Sequence, residues 1–204
     1  MFLNDKQIIE LCEQPTPMIA PFFKQQIRRR TPSAEWSHLE SYKVISYGVS
    51  SVGYDVTLAA TVKKLKPGIP IIDPKNLTDD DYITLPLKTH PSTGATYVIV
   101  PPRGFVLAHT IEYFEMPSNV TGLYFNKSTL VRAATFQPAT VWEPGWRGTA
   151  TLEIQNVEDA PLRLYVNEGI GQVLFWQTDS RPETTYEDKA GKYQGQTGIT
   201  PARI

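Results

Sequence analysis

The chain has 204 residues, of which 41% are apolar and 11% aromatic, enough for one well-filled core and short for two full domains. Its 20 Lys and Arg against 21 Asp and Glu leave no broad field to draw it to nucleic acid or to an anionic membrane, so any anion it binds must be held locally. The opening Met1-Phe2-Leu3-Asn4-Asp5-Lys6 has no basic start followed by an apolar run, no stretch approaches the roughly 18 apolar residues of a membrane span, and the chain is expected in the cytoplasm.

Protein-held metal chemistry has little to work with. The single cysteine, Cys12, excludes an intrachain disulfide, and with only His38, His90 and His109 it leaves no C-x-x-C or H-x-E signature. No metal bound by protein side chains, and no structural zinc, is expected.

Residues 4–13 are predicted to form a short helix, with Asn4 or Asp5 capping its first turn and Ile8, Ile9 and Leu11 supplying a narrow apolar stripe. Pro15, Pro17 and Pro21 then break regularity, and Arg28-Arg29-Arg30 stand in a stretch without clear periodicity, where three adjacent cations read as a solvated face. Residues 1–43 are thus expected to be a helix and an irregular segment packed on the core. From residue 44 the texture turns to short β-rich runs between Gly, Pro and Asn turns: 97–100, 105–110, 120–125, 149–156, 162–166 and 172–176. Their spacing of roughly 8 to 15 residues, with no long helical pattern between them, favours an antiparallel barrel or sandwich over alternating β and α units. The core is expected to run to residue 177. Residues 178–204 are rich in Gly, Pro, Gln and charge, and cannot pack as an independent element.

Three segments could carry chemistry. In Asn126-Lys127-Ser128-Thr129-Leu130-Val131-Arg132-Ala133-Ala134 a β run ends and a short helix-competent stretch begins, where free N–H groups, hydroxyls, Lys127 and Arg132 could neutralise a polyphosphate without a P-loop. Ser and Thr also cap helices for structural reasons alone. The strand Thr149 to Asn156 alternates, setting Thr149, Thr151, Glu153 and Gln155 on one face and Ala150, Leu152 and Ile154 on the core side. On periodicity alone Glu153 is a surface carboxylate. The turn Trp142-Glu143-Pro144-Gly145-Trp146-Arg147-Gly148 puts Glu143 between aromatics, which can tune a carboxyl or simply cover the core.

At these residues the sequence resembles the dCTP deaminase family. Ser46-Tyr47-Gly48-Val49-Ser50-Ser51-Val52-Gly53-Tyr54-Asp55-Val56 is similar to its S-Y-G-x-S-S-x-G-Y-D-V block, and Thr110-Ile111-Glu112-Tyr113-Phe114 to its T-I-E-Y-F strand. Lys127-Ser128-Thr129 with Arg132, Glu143-Pro144-Gly145-Trp146, Thr151-Leu152-Glu153, Asn167 to Gln172 and Gly191 to Gly198 follow in register, so the resemblance spans roughly residues 44–204. It implies a mainly β fold: a distorted antiparallel β-barrel of the dUTPase-like type with a short N-terminal helix and a flexible C-terminal lid. It also implies a homotrimer with nucleotide sites between subunits. Glu153 is then the general acid/base, Ser128 and Arg132 support the reacting centre, and Lys127, Thr129, Tyr186 and Lys192 help hold the triphosphate. Thr151, Leu152, Gln172 and Gln196 are further expected nucleotide contacts. The tail becomes a lid that closes over nucleotide.

The implied reaction is hydrolytic deamination of dCTP to dUTP and ammonia, supplying dUTP for thymidylate synthesis, with Mg²⁺ bound to the triphosphate and activation resting on Glu153 rather than on zinc. Alternatives are a bifunctional enzyme releasing dUMP and pyrophosphate, for which Glu143 is the possible second base, and a deaminase of a 5-substituted dCTP. The second follows from departures near the base: Ala134 stands where the family usually has Gly, Asn126 precedes the K-S-T block, and Ala139-Thr140-Val141 replaces a more usual segment.

Overall fold

The structure, a computed structural model, describes residues 1–32 and 40–204. His38 of the histidine inventory lies outside the described residues. Helix α1 (Asp5–Cys12) forms as its sequence predicts: Asn4 Oδ1 accepts from the Gln7 N–H, and Gln7 Oε1 accepts from the Asn4 N–H, both at 3.1 Å. Ile8 and Cys12 form its buried side.

Strands dominate the rest. In chain order they are β1 (Ile19–Ala20), β2 (Ile27–Arg30), β3 (Tyr42–Val49), β4 (Tyr54–Thr57), β5 (Lys63–Leu65), β6 (Tyr82–Thr84), β7 (Lys88–Thr89) and β8 (Thr96–Val100). There follow β9 (Phe105–Glu115), β10 (Val120–Asn126), the single-turn helix α2 (Ser128–Val131), β11 (Thr135–Phe136), β12 (Thr140–Trp142), β13 (Arg147–Asn156), β14 (Leu162–Tyr165) and β15 (Gly169–Gln177). One six-stranded sheet orders β11-β13-β9-β5-β6, with β1 also paired to β9; a second orders β12-β10-β15-β4-β3-β2; a third holds β14-β8-β7. The fold is mainly β and antiparallel, as expected, and the sheets do not close into one continuous barrel.

The core lies between the two large sheets. β9 contributes Val106, Ala108 and Phe114, β13 contributes Ala150, Leu152 and Ile154, and Tyr54, Tyr124, Val173 and Phe175 meet them from the other sheet. Each large apolar side chain taken fully from water stabilises by about 1.5–3 kcal/mol. The alternation read in the sequence of β13 is the alternation observed.

Residues 15–32 are more regular than their sequence suggests. β1 joins β9 through Ile19 opposite Phe114, and β2 joins β3 through Arg29 opposite Lys43. Three consecutive arginines carry no period-2 signal, so tertiary pairing with β3, not local preference, makes this strand.

Candidate active site

β9 and β13 pair along most of their length, and a register shift between Thr149 and Thr151 marks a bulge. At the bulge the Ala150 N–H donates to Thr110 Oγ1 at 2.9 Å, and the Thr110 hydroxyl donates to the Glu112 carbonyl at 2.8 Å. Beyond it, Thr151 and Glu153 face a recess of about 710 Å³. Its inner wall is apolar, with Tyr82, Phe105, Leu107 and Val141 among its residues. Burial in this wall is the main cause that raises the Glu153 carboxyl above the ordinary glutamate range, against a lowering contribution from its own backbone N–H.

The C-terminal tail forms the outer wall. Gly148 bridges to Gln196 in parallel fashion, the Thr149 N–H donates to the Gln196 carbonyl at 3.0 Å, and the Gln196 amide returns a bond to the Thr149 carbonyl at 2.8 Å. Gly198 N–H then donates to Thr149 Oγ1 at 2.7 Å and Thr200 N–H to Thr151 Oγ1 at 3.1 Å. A side chain at Gly148 would block this approach, because a Cβ there would lie 2.7 Å from the Gln196 carbonyl oxygen. The tail thus runs along β13 toward Glu153, and Tyr186, Lys192 and Gln196 line the recess. Gln196 Oε1 is buried without a hydrogen-bond partner, an open acceptor in this wall.

The Pro-Gly turn supplies Glu143, which also lines the recess, and Lys189 of the tail donates to its carboxylate at 2.5 Å. Behind the turn Trp142 packs on Phe114, with centroids 4.6 Å apart, and on Trp146 at 5.5 Å. The Trp146 indole N–H donates to the Tyr193 carbonyl at 3.1 Å, so turn and tail are tied together.

Six of the residues singled out from sequence therefore share one recess: Glu143, Thr151, Glu153, Tyr186, Lys192 and Gln196. The other six do not line it. Ser128, Thr129 and Arg132 are exposed on and beside α2, with an Arg132 guanidinium N–H donating to Ser128 Oγ at 3.3 Å. Lys127 is buried, and its ammonium pairs with the buried Asp55 carboxylate, which also accepts from Gln26 Nε2 at 3.0 Å. Leu152 turns its side chain into the core, leaving its backbone as the part that can meet a ligand. Gln172 is half-buried on β15, between Phe125 and Asp55 of the adjoining strands. Among the described residues no group of three or more His, Cys, Asp and Glu is placed to hold a metal.

A family model for dCTP deaminase-like proteins matches residues 2–178. The chain belongs to the dCTP deaminase-like family. It is 40% identical to the dCTP deaminase of Herpetosiphon aurantiacus across the whole of both chains, and 37% identical to that of Chromobacterium violaceum across 98% of this chain and 97% of the other. The crystal structure of 2'-deoxycytidine 5'-triphosphate deaminase from Agrobacterium tumefaciens is similar in fold, with a TM-score of 0.60 and 15% identity over 89% of this chain. That match covers 49% of the Agrobacterium chain, so this chain spans about half its length.

In this member of the dCTP deaminase-like family, the departure at Ala134 has a structural consequence. The residue ends the turn between α2 and β11 at φ 61°, a left-handed conformation that glycine adopts freely and alanine does not. The backbone keeps a glycine-like turn while carrying a methyl group, at a cost of about 1 kcal/mol. Sequence reasoning missed the apolar wall from Tyr82, Phe105 and Leu107, which ordinary core alternation hides. It also missed the Asp55–Lys127 pair, whose partners lie far apart in sequence.

Proposed function

We propose that this chain deaminates dCTP hydrolytically to dUTP and ammonia, with Glu153 as the proton-transfer residue. The observation that carries the reading is Glu153 itself: a carboxyl desolvated in an apolar recess, flanked by Thr151 and the tail residues, in a chain whose full-length relatives are named dCTP deaminases. A carboxylate with a raised proton affinity can take a proton from water as the water oxygen bonds to C4 of cytosine, and pass it to N3. The second proton then moves from the new hydroxyl to the amino group, the C4–N bond breaks, C4 becomes a carbonyl, and ammonia leaves. The Gln196 acceptor suits the exocyclic amine.

Assembly as a homotrimer, with each site shared between subunits, accounts for the division of the expected residues: Glu153 and the tail on one recess, Ser128 and Arg132 elsewhere on the surface. Phe105, Phe125, Phe136 and Val141, all at least 40% exposed, offer apolar surface for such contacts. Light scattering that finds a monomer would overturn this part. Magnesium enters as part of the triphosphate substrate, Lys192 and Tyr186 are the proposed phosphate contacts in the recess, and the enzyme is placed in the cytoplasm with the nucleotide pool. The lid role of the tail belongs to the same reading, since its bonds to β13 are those of a strap that can open.

The expected product retains its triphosphate. Pyrophosphate release needs a second water in line with the α-phosphorus and a base beside it, and Glu143, the possible second base, is engaged by Lys189. Incubation with dCTP followed by ammonia and pyrophosphate assays tests the reading. Ammonia without pyrophosphate supports it, equal amounts of both make the enzyme bifunctional, and no ammonia removes the deaminase.

A further inference from the structure

The triple arginine has no part in the site above. β2 places Arg28 and Arg29, both exposed, beside Lys43 of β3 at a second recess of about 800 Å³, and none of the described residues lines both recesses. Arg29 and Lys43 stand directly opposite each other across the two strands, an arrangement of like charges that costs stability. Among the described residues no carboxylate forms an ion pair with Arg28, Arg29, Arg30 or Lys43. Arg29 Nε donates to Ser41 Oγ at 2.8 Å, which fixes its guanidinium without neutralising it.

One carboxylate, Glu168, lines the same recess. Glu168 is buried and accepts the Ile45 N–H at 2.7 Å, a donor released where β3 bulges opposite Arg28. Gly169 permits that approach, since a Cβ there would lie 2.0 Å from the Ser46 carbonyl oxygen. Arg28, Arg29 and Lys43 thus stand together at a concave surface without an ion pair among the described residues, and Thr129 lines the same recess.

We propose that this recess binds a polyphosphate group through Arg28, Arg29 and Lys43, with Thr129 as a further donor. Two sources share that chemistry: the triphosphate of the substrate, reaching the recess beside the Ser128 turn, and a second nucleotide. The first source rests on the deaminase reading, whereas binding itself does not.

Calorimetric titration of the full chain with inorganic tripolyphosphate tests the proposal. The Arg29→Gln/Lys43→Gln double variant should bind about tenfold or more weakly, while Arg29→Lys, which keeps the charge, should stay within about threefold of the parent. The double variant should melt no earlier than the parent, because a repulsion has been removed. Should it melt earlier, Arg28→Gln carries the same test, at a side chain that makes no hydrogen bond among the described residues. Tripolyphosphate affinity within about twofold of the parent in the double variant, or in Arg28→Gln where that takes its place, would overturn the proposal. If affinity falls, dCTP kinetics separate the sources: a raised KM with competitive inhibition by tripolyphosphate points to the substrate's own phosphates, and an unchanged KM with non-competitive inhibition to a second nucleotide. The titration needs no turnover, so it fails separately from the deaminase reading.

Discussion

Glu112 and Glu153 stand on the neighbouring strands β9 and β13, and burial raises both carboxyls above the ordinary glutamate range. Their surroundings are otherwise opposed. Glu112 has no exposed surface and accepts from the Thr57 N–H at 3.0 Å, the Thr57 hydroxyl at 2.8 Å and the Tyr54 hydroxyl at 3.4 Å. Glu153 opens into the recess, and among the described residues no other side chain hydrogen-bonds its carboxyl. A desolvated carboxyl with its donors in place joins two sheets, whereas one that lacks them and meets open space is available to a substrate. The Asp55–Lys127 pair belongs with Glu112 on the closed side of this division.

The largest expected effect falls on the open side. Glu153→Gln should lower ammonia release by about 10²–10⁴-fold while dCTP binding stays within about tenfold, because the amide keeps the shape and cannot shuttle a proton. Turnover near the parent rate would end the distinction between the two glutamates. On the closed side Asp55→Asn should cost about 3–5 kcal/mol in urea denaturation, since it strands a buried ammonium, and adding Lys127→Gln should recover part of the loss. A cost under about 1 kcal/mol would mean that water reaches the pair. The third effect separates access from fold: removing residues 191–204 should reduce kcat/KM by about 10–100-fold with the thermal transition of the β core retained. Unchanged kcat/KM would show that the bonds from the tail to β13 contribute nothing to the site.

The open side was legible in part from local patterns, whereas the role of Glu153 and the tail residues Tyr186, Lys192 and Gln196 came from the family resemblance. Alternation in β13 gave the face that carries Thr151 and Glu153, and the Pro-Gly turn marked Glu143. Asn4 and Gln7 likewise announced the start of α1. The closed side was not legible, because Asp55 and Lys127 meet across 72 positions and Glu112 and Thr57 across 55. No local period encodes such pairs. Lys127 illustrates the limit: beside Ser128 and Thr129 it has the surroundings of a phosphate ligand, and the fold turns it inward to Asp55. The arginine strand shows the converse, a surface run whose regularity comes only from its partner β3.

The smallest expected effect is the most discriminating for the closed side, because it depends on pH rather than on size alone. Desolvation lifts Glu112 from 4.5 to about 7, against the lowering influence of the Thr57 and Tyr54 donors. Between those two values the folded chain holds a proton at this position that the unfolded chain has released, so raising the pH favours unfolding. The slope reaches about 1.4 kcal/mol per pH unit within that window and vanishes below 4.5, where both states are protonated, and above about 7, where both are charged. Glu112→Gln cannot titrate, so the difference in Tm between variant and parent should move in the variant's favour as pH rises from 4.5 to 7, all other groups being common to both chains. The amide forfeits some acceptor strength toward Thr57, and the variant is therefore expected to be the less stable chain at the acid end. A Tm difference that stays constant across the window would show that Glu112 titrates as an ordinary carboxyl, its donors offsetting its burial.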